Sequence, residues 1–425
     1  MVDPLIIVRA IHFAATIAAA GTVFFQFMVA APAIHAAHGR WPPDLLHRLY
    51  SRLALIALTI VVLSGLLWLL LLASEIYGAS IVEVCLQGGA LAVLTNTRFG
   101  LVWIGRLALA LLLAQSLCWP RAQPLPAASQ LLLLAAAGLL VSLAWIGHAG
   151  ATLGPAAPYH LASDVLHLTA AGIWLGGLLP LLMLLRHAGR ARRPAGTALA
   201  AAATRRFSLL AMLSVGALLA TGIVNAWTLL GGARDLLTTD YGRLILLKTG
   251  VFAAMLGIAY VNRFHLTPRL AAPWALRRLR RNTLAEIGLG LCIMLFVGAL
   301  GALEPTAHAH LPAPAEAGAG FVHIHSEQAV AEVAIAREPT GAARATIRLM
   351  NEDFTPRAAT QVTLSLMNPG AGLAAIRRPA VKNPDETWIV DDLLLPQPGR
   401  WELQLDVRIG DREPITLVAP ILLEP

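Results

Sequence analysis

Two histidines and an aspartate stand out inside one apolar stretch of this 425-residue chain. In the run HLASDVLHLTAAGIWLGGL, His160, Asp164 and His167 are spaced i, i+4 and i+7. A helix brings residues at that spacing to one face. Neutral imidazoles bind copper, zinc, iron and nickel, and a carboxylate ligates or orients such an ion. The same residue types also suit a proton or ion path, haem held between histidines of two helices, or hydrogen bonding between packed helices. His12, in the first apolar segment, and His148, at the end of the fourth, are candidates for the same cluster. His12 and His167 are expected at similar depth, with His148 and His160 nearer the surface. Asp164 is placed to orient an imidazole or to offset a cation's charge. Arg9, Arg106, Arg243 and Lys248 fall in neighbouring apolar segments and could neutralise it.

A second set of histidines lies near the C-terminal third: His308 and His310, then His323 and His325. Residues two apart point to one side of an extended chain. Each pair therefore suits Cu(II) or Zn(II). Met350 and Met367 end expected strands and read as core residues.

These residues need elements to hold them. The chain is 57% hydrophobic and only 13% charged, against about 25% charge in an ordinary soluble domain. Eight apolar segments are long enough to cross a bilayer, near 5–30, 52–73, 100–119, 129–147, 160–185, 207–230, 243–264 and 283–303. The first is expected to span rather than to act as a cleaved leader, because Met-Val-Asp-Pro has no basic n-region. Arginines concentrate in the connections 31–51, 186–206 and 263–282, whereas 74–99, 148–159 and 231–242 hold only Arg98 and Arg234. The positive-inside rule then places both the N-terminus and the C-terminal part outside the cytoplasm. Residues 74–99 read as a helix on the outer surface rather than a span. Trp68, Trp103, Trp145, Trp174 and Trp227 read as an aromatic belt. Cys85, Cys118 and Cys292 lack disulfide or metal spacing and read as small buried residues.

The charge balance changes along the chain. Residues 1–315 carry 22 Lys+Arg against 9 Asp+Glu, and residues 316–425 carry 10 against 15. Membrane topology explains the basic half better than nucleic-acid binding does. A Pro/Ala/Gly linker is expected at 304–320, between a membrane domain at 1–303 and a separate domain at 321–425. In the latter, alternating stretches at Val330–Ala336, Ala343–Met350, Gln361–Met367, Thr387–Val390, Trp401–Ile409 and Ile415–Ile421 are divided by turn residues. Six or seven such strands suggest an all-β sandwich of immunoglobulin-like size. No nucleotide-binding loop, P-type ATPase phosphorylation motif or hydrolase elbow is visible, so no enzymatic activity is expected.

Ser163–Gly177 resembles the D-x-L-H-x-x-x-A-x-x-W-x-G-G signature of the CopD copper-resistance family. Asp240–Lys248 with Asn262, Arg263 and Pro268 resembles its Y-G-x-x-L-x-x-K…N-R…P element. Thr95–Gly100 with Trp103 and Arg106 is similar to its T-x-F-G-x-x-W-x-x-R element, and Arg280–Glu286 to the start of its last helix. The tail from Phe321 resembles the YtkA-like domain fused to some members, through His323-Ile-His325, Met350–Phe354 and Asp391–Gly399. The resemblance implies a bacterial inner-membrane protein that handles copper, moves it between periplasm and cytoplasm, and works with a periplasmic CopC-like carrier. A distant likeness of that family to membrane dihaem cytochromes keeps haem-mediated electron transfer as the alternative. The resulting expectation is copper as the bound ion, membrane lipid as the surroundings, and metal ligands drawn from His12, His148, His160, Asp164, His167, His323 and His325.

Overall fold

The computed structural model describes residues 3–36, 43–77, 79–118, 126–147, 157–190, 194–230, 232–303, 320–325, 329–337, 342–351, 355–367, 376–393, 399–410 and 415–423. The described residues form two compact units, one helical and ending by Leu303, the other all-β and starting at Gly320.

In the helical unit, α1 (Pro4–Phe25) starts where the Asp3 side chain accepts the Leu5 N–H at 2.8 Å, with Pro4 in the first turn. Pro4 lacks a donor, so it loses nothing at a position where that donor would be orphaned. A π-helical turn, Gln26–Ala30, carries the chain into α2 (Ala31–Ala36). Then follow α3 (Pro43–Tyr77), the short α4 (Ile81–Leu86) and α5 (Gly89–Asn96), α6 (Arg98–Cys118) and α7 (Pro126–Val141), which ends in a 3₁₀ turn, Ser142–Trp145. The long α8 (Ala157–Arg190) and α9 (Pro194–Leu229) come next, then the single turn α10 (Asp235–Thr238) and α11 (Asp240–Val261). A second π turn, Asn262–Leu266, and a 3₁₀ turn lead to α12 (Pro273–Leu300).

Seven of these helical stretches are long and apolar enough to cross a membrane, and Ser129–Trp145 is a shorter apolar one at the expected fourth position. The expected surface helix at 74–99 is two helices. Ser80 caps α4 in a reciprocal box with Glu83, and Gly88, at φ 76°, breaks the run before α5. A left-handed backbone there favours glycine, which has no Cβ to clash.

One boundary expectation is corrected. The arginines at 186–206 and 263–282 lie largely on helix rather than in loops: Arg186 and Arg190 lie in the last turns of α8, Arg205 and Arg206 in the N-terminal half of α9, and Arg277, Arg278, Arg280 and Arg281 near the start of α12. Hydrophobicity marks where a span leaves lipid. It does not mark where the helix stops, because backbone hydrogen bonding continues in water until a breaker arrives.

Packing of α1 on α8 is set by glycine. A Cβ on Gly21 would overlap the Gly172 carbonyl oxygen and Gly176 Cα, and one on Gly176 would overlap the Ile17 carbonyl oxygen. Gly172 and Gly176 are four apart, the small-xxx-small spacing that lets membrane helices touch backbone to backbone. The apolar core around this crossing includes Phe24, Phe25, Leu140, Trp174, Leu178 and Met255. The belt reading of the tryptophans is therefore corrected for three of them. Trp68, Trp103 and Trp174 are buried, whereas Trp145 and Trp227 are exposed. Burial of the cysteines is corrected too: Cys85 and Cys118 are exposed, and all three thiols are free. Exposed positions in a bilayer face hydrocarbon, so apolar character alone does not send a residue to the core.

The described residues of the β unit form nine strands: β1 (Gly320–His325), β2 (Val330–Arg337), β3 (Ala343–Met350), β4 (Gln361–Met367), β5 (Ile376–Pro379), β6 (Val381–Lys382), β7 (Trp388–Leu393), β8 (Gly399–Arg408) and β9 (Ile415–Leu423). One sheet runs β1-β2-β3-β7-β6 and the other β5-β4-β8-β9, all antiparallel. Their facing residues share one core that includes Val333, Ile347, Leu364, Trp388, Trp401 and Leu405. The sandwich matches expectation. The three extra strands were hidden because β1 continues the Gly-rich run at 318–320, and β5 and β6 are short and mostly exposed. Between those two the chain changes sheets at Ala380, whose N–H bonds to the Val362 carbonyl at 2.9 Å.

Replacing Gly176 with valine is expected to lower stability by about 1–3 kcal/mol, the usual cost of overpacking a filled interior. The same change at Gly250, where an added Cβ would meet nothing within 4 Å, should cost far less. Thermal unfolding of the two variants in detergent checks the difference.

Candidate metal site in the membrane helices

The polar stripe of α8 meets polar groups on α9 and α11. Thr221 and Asn225 sit one turn apart on α9 and face it. His167 Nδ1 lies 2.9 Å from Thr221 Oγ1, and Thr221 donates its own proton to the Ala217 carbonyl at 2.6 Å. With the hydroxyl proton committed, Thr221 accepts, so His167 Nδ1 carries the ring proton. Among the described residues nothing bonds the Nε2 lone pair of His167, which is open to a metal. Ser163 donates to Asn225 Oδ1 at 2.7 Å, which turns the Asn225 amide N–H toward Asp164 Oδ1 at 3.2 Å. Lys248, on α11, lies within electrostatic reach of both Asp164 and His167. His160 is buried in the first turn of α8.

His12 sits in a different network. Its Nε2 is 2.7 Å from Arg106 Nη2, and its Nδ1 is 3.0 Å from Ser64 Oγ. Guanidinium only donates, so Nε2 accepts, Nδ1 donates to Ser64, and Ser64 donates to the Ile60 carbonyl at 2.6 Å. Arg106 is itself fully buried; its Nη groups also donate to Thr16 Oγ1, the Leu139 carbonyl and Ser142 Oγ, at 3.2, 2.9 and 2.6 Å, whereas its Nε–H has no partner among the described residues. Trp68 and Trp103 close the apolar side, with ring centroids 5.6 and 4.9 Å from His12.

The structure thus brings Asp164 and His167 together with Thr221, Asn225 and Lys248, and it engages both ring nitrogens of His12 elsewhere. Among the described residues no three His, Cys, Asp or Glu side chains gather closely enough to hold one metal ion. His148, His308 and His310 lie outside the described residues. His323 and His325 lie on β1, paired in register with Glu332 and Val330. Sequence reasoning missed Thr221 and Asn225, although an i, i+4 pair of hydrogen-bonding residues in an apolar segment was the available signal. It also missed Ser64 and Ser142 as partners of His12 and Arg106.

Fold and site together define a polytopic membrane protein whose buried histidines are held by neighbouring helices, joined to a β-sandwich. Residues 1–158 match the family of the copper resistance protein D-like N-terminal domain, and residues 201–300 match that of copper resistance protein D. The inner membrane protein YebZ of Escherichia coli (strain K12) is 35% identical over 218 residues, which cover 49% of this chain and 70% of that protein. Copper resistance protein D of Pseudomonas syringae pv. tomato is 27% identical over 269 residues, 61% of this chain and 84% of its own. Copper transport protein CutJ of Bacillus subtilis (strain 168) is 27% identical over 289 residues, 66% and 50% respectively. The chain belongs to the copper resistance protein D family. The names of these relatives do not favour the haem alternative.

Groups that orient a ligand typically carry about tenfold or more in metal affinity. Asp164→Asn and Thr221→Val are each expected to weaken copper binding by about that factor, measured by competition with a chelator of known affinity.

Proposed function

We propose that the protein binds copper on the α8 stripe and carries it across the bacterial inner membrane. The observation that carries this reading is the free Nε2 of His167, fixed in orientation by Thr221. His160 and Asp164 share that helical face, so an ion at His167 would gain from the Asp164 carboxylate, within whose electrostatic reach Lys248 also lies. His12 joins such a site only where Arg106 withdraws from its Nε2. The helix ends rich in arginine support a cytoplasmic placement for them, with the N-terminus and the β-sandwich in the periplasm. There the sandwich, a YtkA-like domain in this reading, meets a CopC-like copper carrier and binds copper through His323 and His325. Domain limits of 1–303, 304–320 and 321–425 belong to the same proposal, and His148 is a further ligand at the outer mouth.

Copper flux into and out of proteoliposomes holding the purified protein tests transport in both directions. His167→Ala is expected to reduce flux at least about tenfold while leaving membrane insertion intact. A variant that carries copper at the wild-type rate rejects the ligand assignment.

Equilibrium dialysis of the full chain with Cu(II) addresses the sandwich. Replacing both His323 and His325 with alanine should lower the amount of copper bound. Unchanged binding would leave the sandwich as a protein-interaction domain.

A further inference from the structure

A third polar network lies where α11 meets α12, apart from both histidine networks. Glu286, in the middle of α12, is 3% exposed. Its Oε2 accepts the Asn262 amide N–H at 2.9 Å, and Asn262 Oδ1 in turn accepts the Asn282 amide N–H at 2.7 Å. Asn262 opens the π turn at the end of α11, and its own backbone carbonyl accepts the Thr267 hydroxyl at 2.7 Å. Such turns recur at functional sites because they rotate one side chain out of helical register. Among the described residues Asn262 is the only hydrogen-bond partner of Glu286.

Among the described residues no charged group offsets this carboxyl. From the π turn and the 3₁₀ turn, Arg263 donates to Ser208 Oγ at 2.7 Å and Arg269 to the His265 carbonyl at 2.8 Å. On α12 itself, Arg280 donates to the Leu185 carbonyl of α8, and Arg277, Arg278 and Arg281 are exposed. From α1, Arg9 donates to the Gly301 carbonyl at the far end of α12, and His12 is held by Ser64 and Arg106. One amide N–H does not compensate a buried anion. A group placed in this way must carry a proton or be joined by a cation when it loses one, and an intramembrane carboxyl is a functional candidate by default.

Its position relative to the copper stripe is fixed by α11. Lys248 and Asn262 are separated by about 21 Å of helix rise. Between them α11 carries Phe252, stacked edge-on against buried Trp174 at 5.7 Å, and the fully buried Met255. An apolar layer therefore divides the His167 end from the Glu286 end. Added positive charge at the first disfavours a proton at the second, since both lie in one low-dielectric bundle.

We propose that Glu286 is a proton-exchange site, which gives up its proton as copper binds the bundle and regains it as copper leaves. The O–H bond of Glu286 breaks, its proton passes to water, and Asn262 holds the resulting carboxylate. No electron moves. This inference rests on the copper-binding reading, but it does not require that transport has been demonstrated.

The test uses the full-length protein. First, without copper, infrared difference spectra are recorded across a pH series in lipid. A protonated-carboxyl C=O band that disappears with rising pH in wild type and is absent from Glu286→Gln is expected. Its absence from wild type, or its persistence in the variant, overturns the proposal. Second, Cu(I) is added in weakly buffered detergent solution and released protons are counted. Glu286→Gln should release measurably fewer protons per copper bound, by a fraction of a proton, and Glu286→Asp should restore the wild-type count. Glutamine still offers an oxygen to Asn262, so a purely structural clasp predicts wild-type proton release from that variant, and this result also overturns the proposal. Failure of wild type to carry copper in vesicles would reject transport alone, because proton release is read on binding.

Discussion

Hydrocarbon gives a buried polar group nothing to bond with, so an unpaired one is costly and a partner on a neighbouring helix is strongly favoured. Three networks meet that demand here. His12 and Arg106 tie α1 to α3, α6 and the 3₁₀ turn after α7. Ser163, Asp164 and His167 tie α8 to α9. Asn262, Asn282 and Glu286 tie α11 to α12. The three differ in what is left over. In the first, both imidazole nitrogens are consumed. The second leaves one imidazole nitrogen open, and the third leaves a carboxyl with a single amide donor. The unspent capacity, more than the presence of a histidine or an acid, separates groups that hold helices together from groups able to exchange a ligand.

Close backbone approach makes such networks possible. Gly21, Gly172 and Gly176 let α1 and α8 meet without intervening side chains, and Gly65 lies against the Trp103 ring. Trp103 and Trp68 then surround His12 with aromatic faces and edges, while Arg106 and Arg9 stack over these rings at 5.4 and 5.5 Å. Guanidinium over indole adds a cation–π contribution that is larger where water is excluded. The tryptophans thus help solvate a buried cation that has no carboxylate among its hydrogen-bond partners.

The β unit obeys different rules. Water surrounds it in the proposed topology, so alternation returns: β3 shows buried residues at alternate positions, as a half-buried strand should. Its sheets are joined by a shared apolar core, and the crossing at Ala380 moves the chain between them within two short strands.

Much of this was legible in the residues alone. Hydrophobic length located the helices, alternation located six strands, and the spacing of His160, Asp164 and His167 put them on one face, since those properties are set by local geometry and by transfer free energy. Helix ends were not legible, because Arg205 and Arg277 remain helical in a region that hydropathy reads as loop. The division of the histidines was not legible either. His12 and His167 look alike in sequence, each an imidazole inside an apolar segment. Only tertiary packing decides that Arg106, 94 residues away, takes the Nε2 of one, whereas Thr221, 54 residues away, takes only the Nδ1 of the other. A hydrogen bond depends on a few tenths of an ångström and on direction, and such placement between distant segments is decided by how the helices pack.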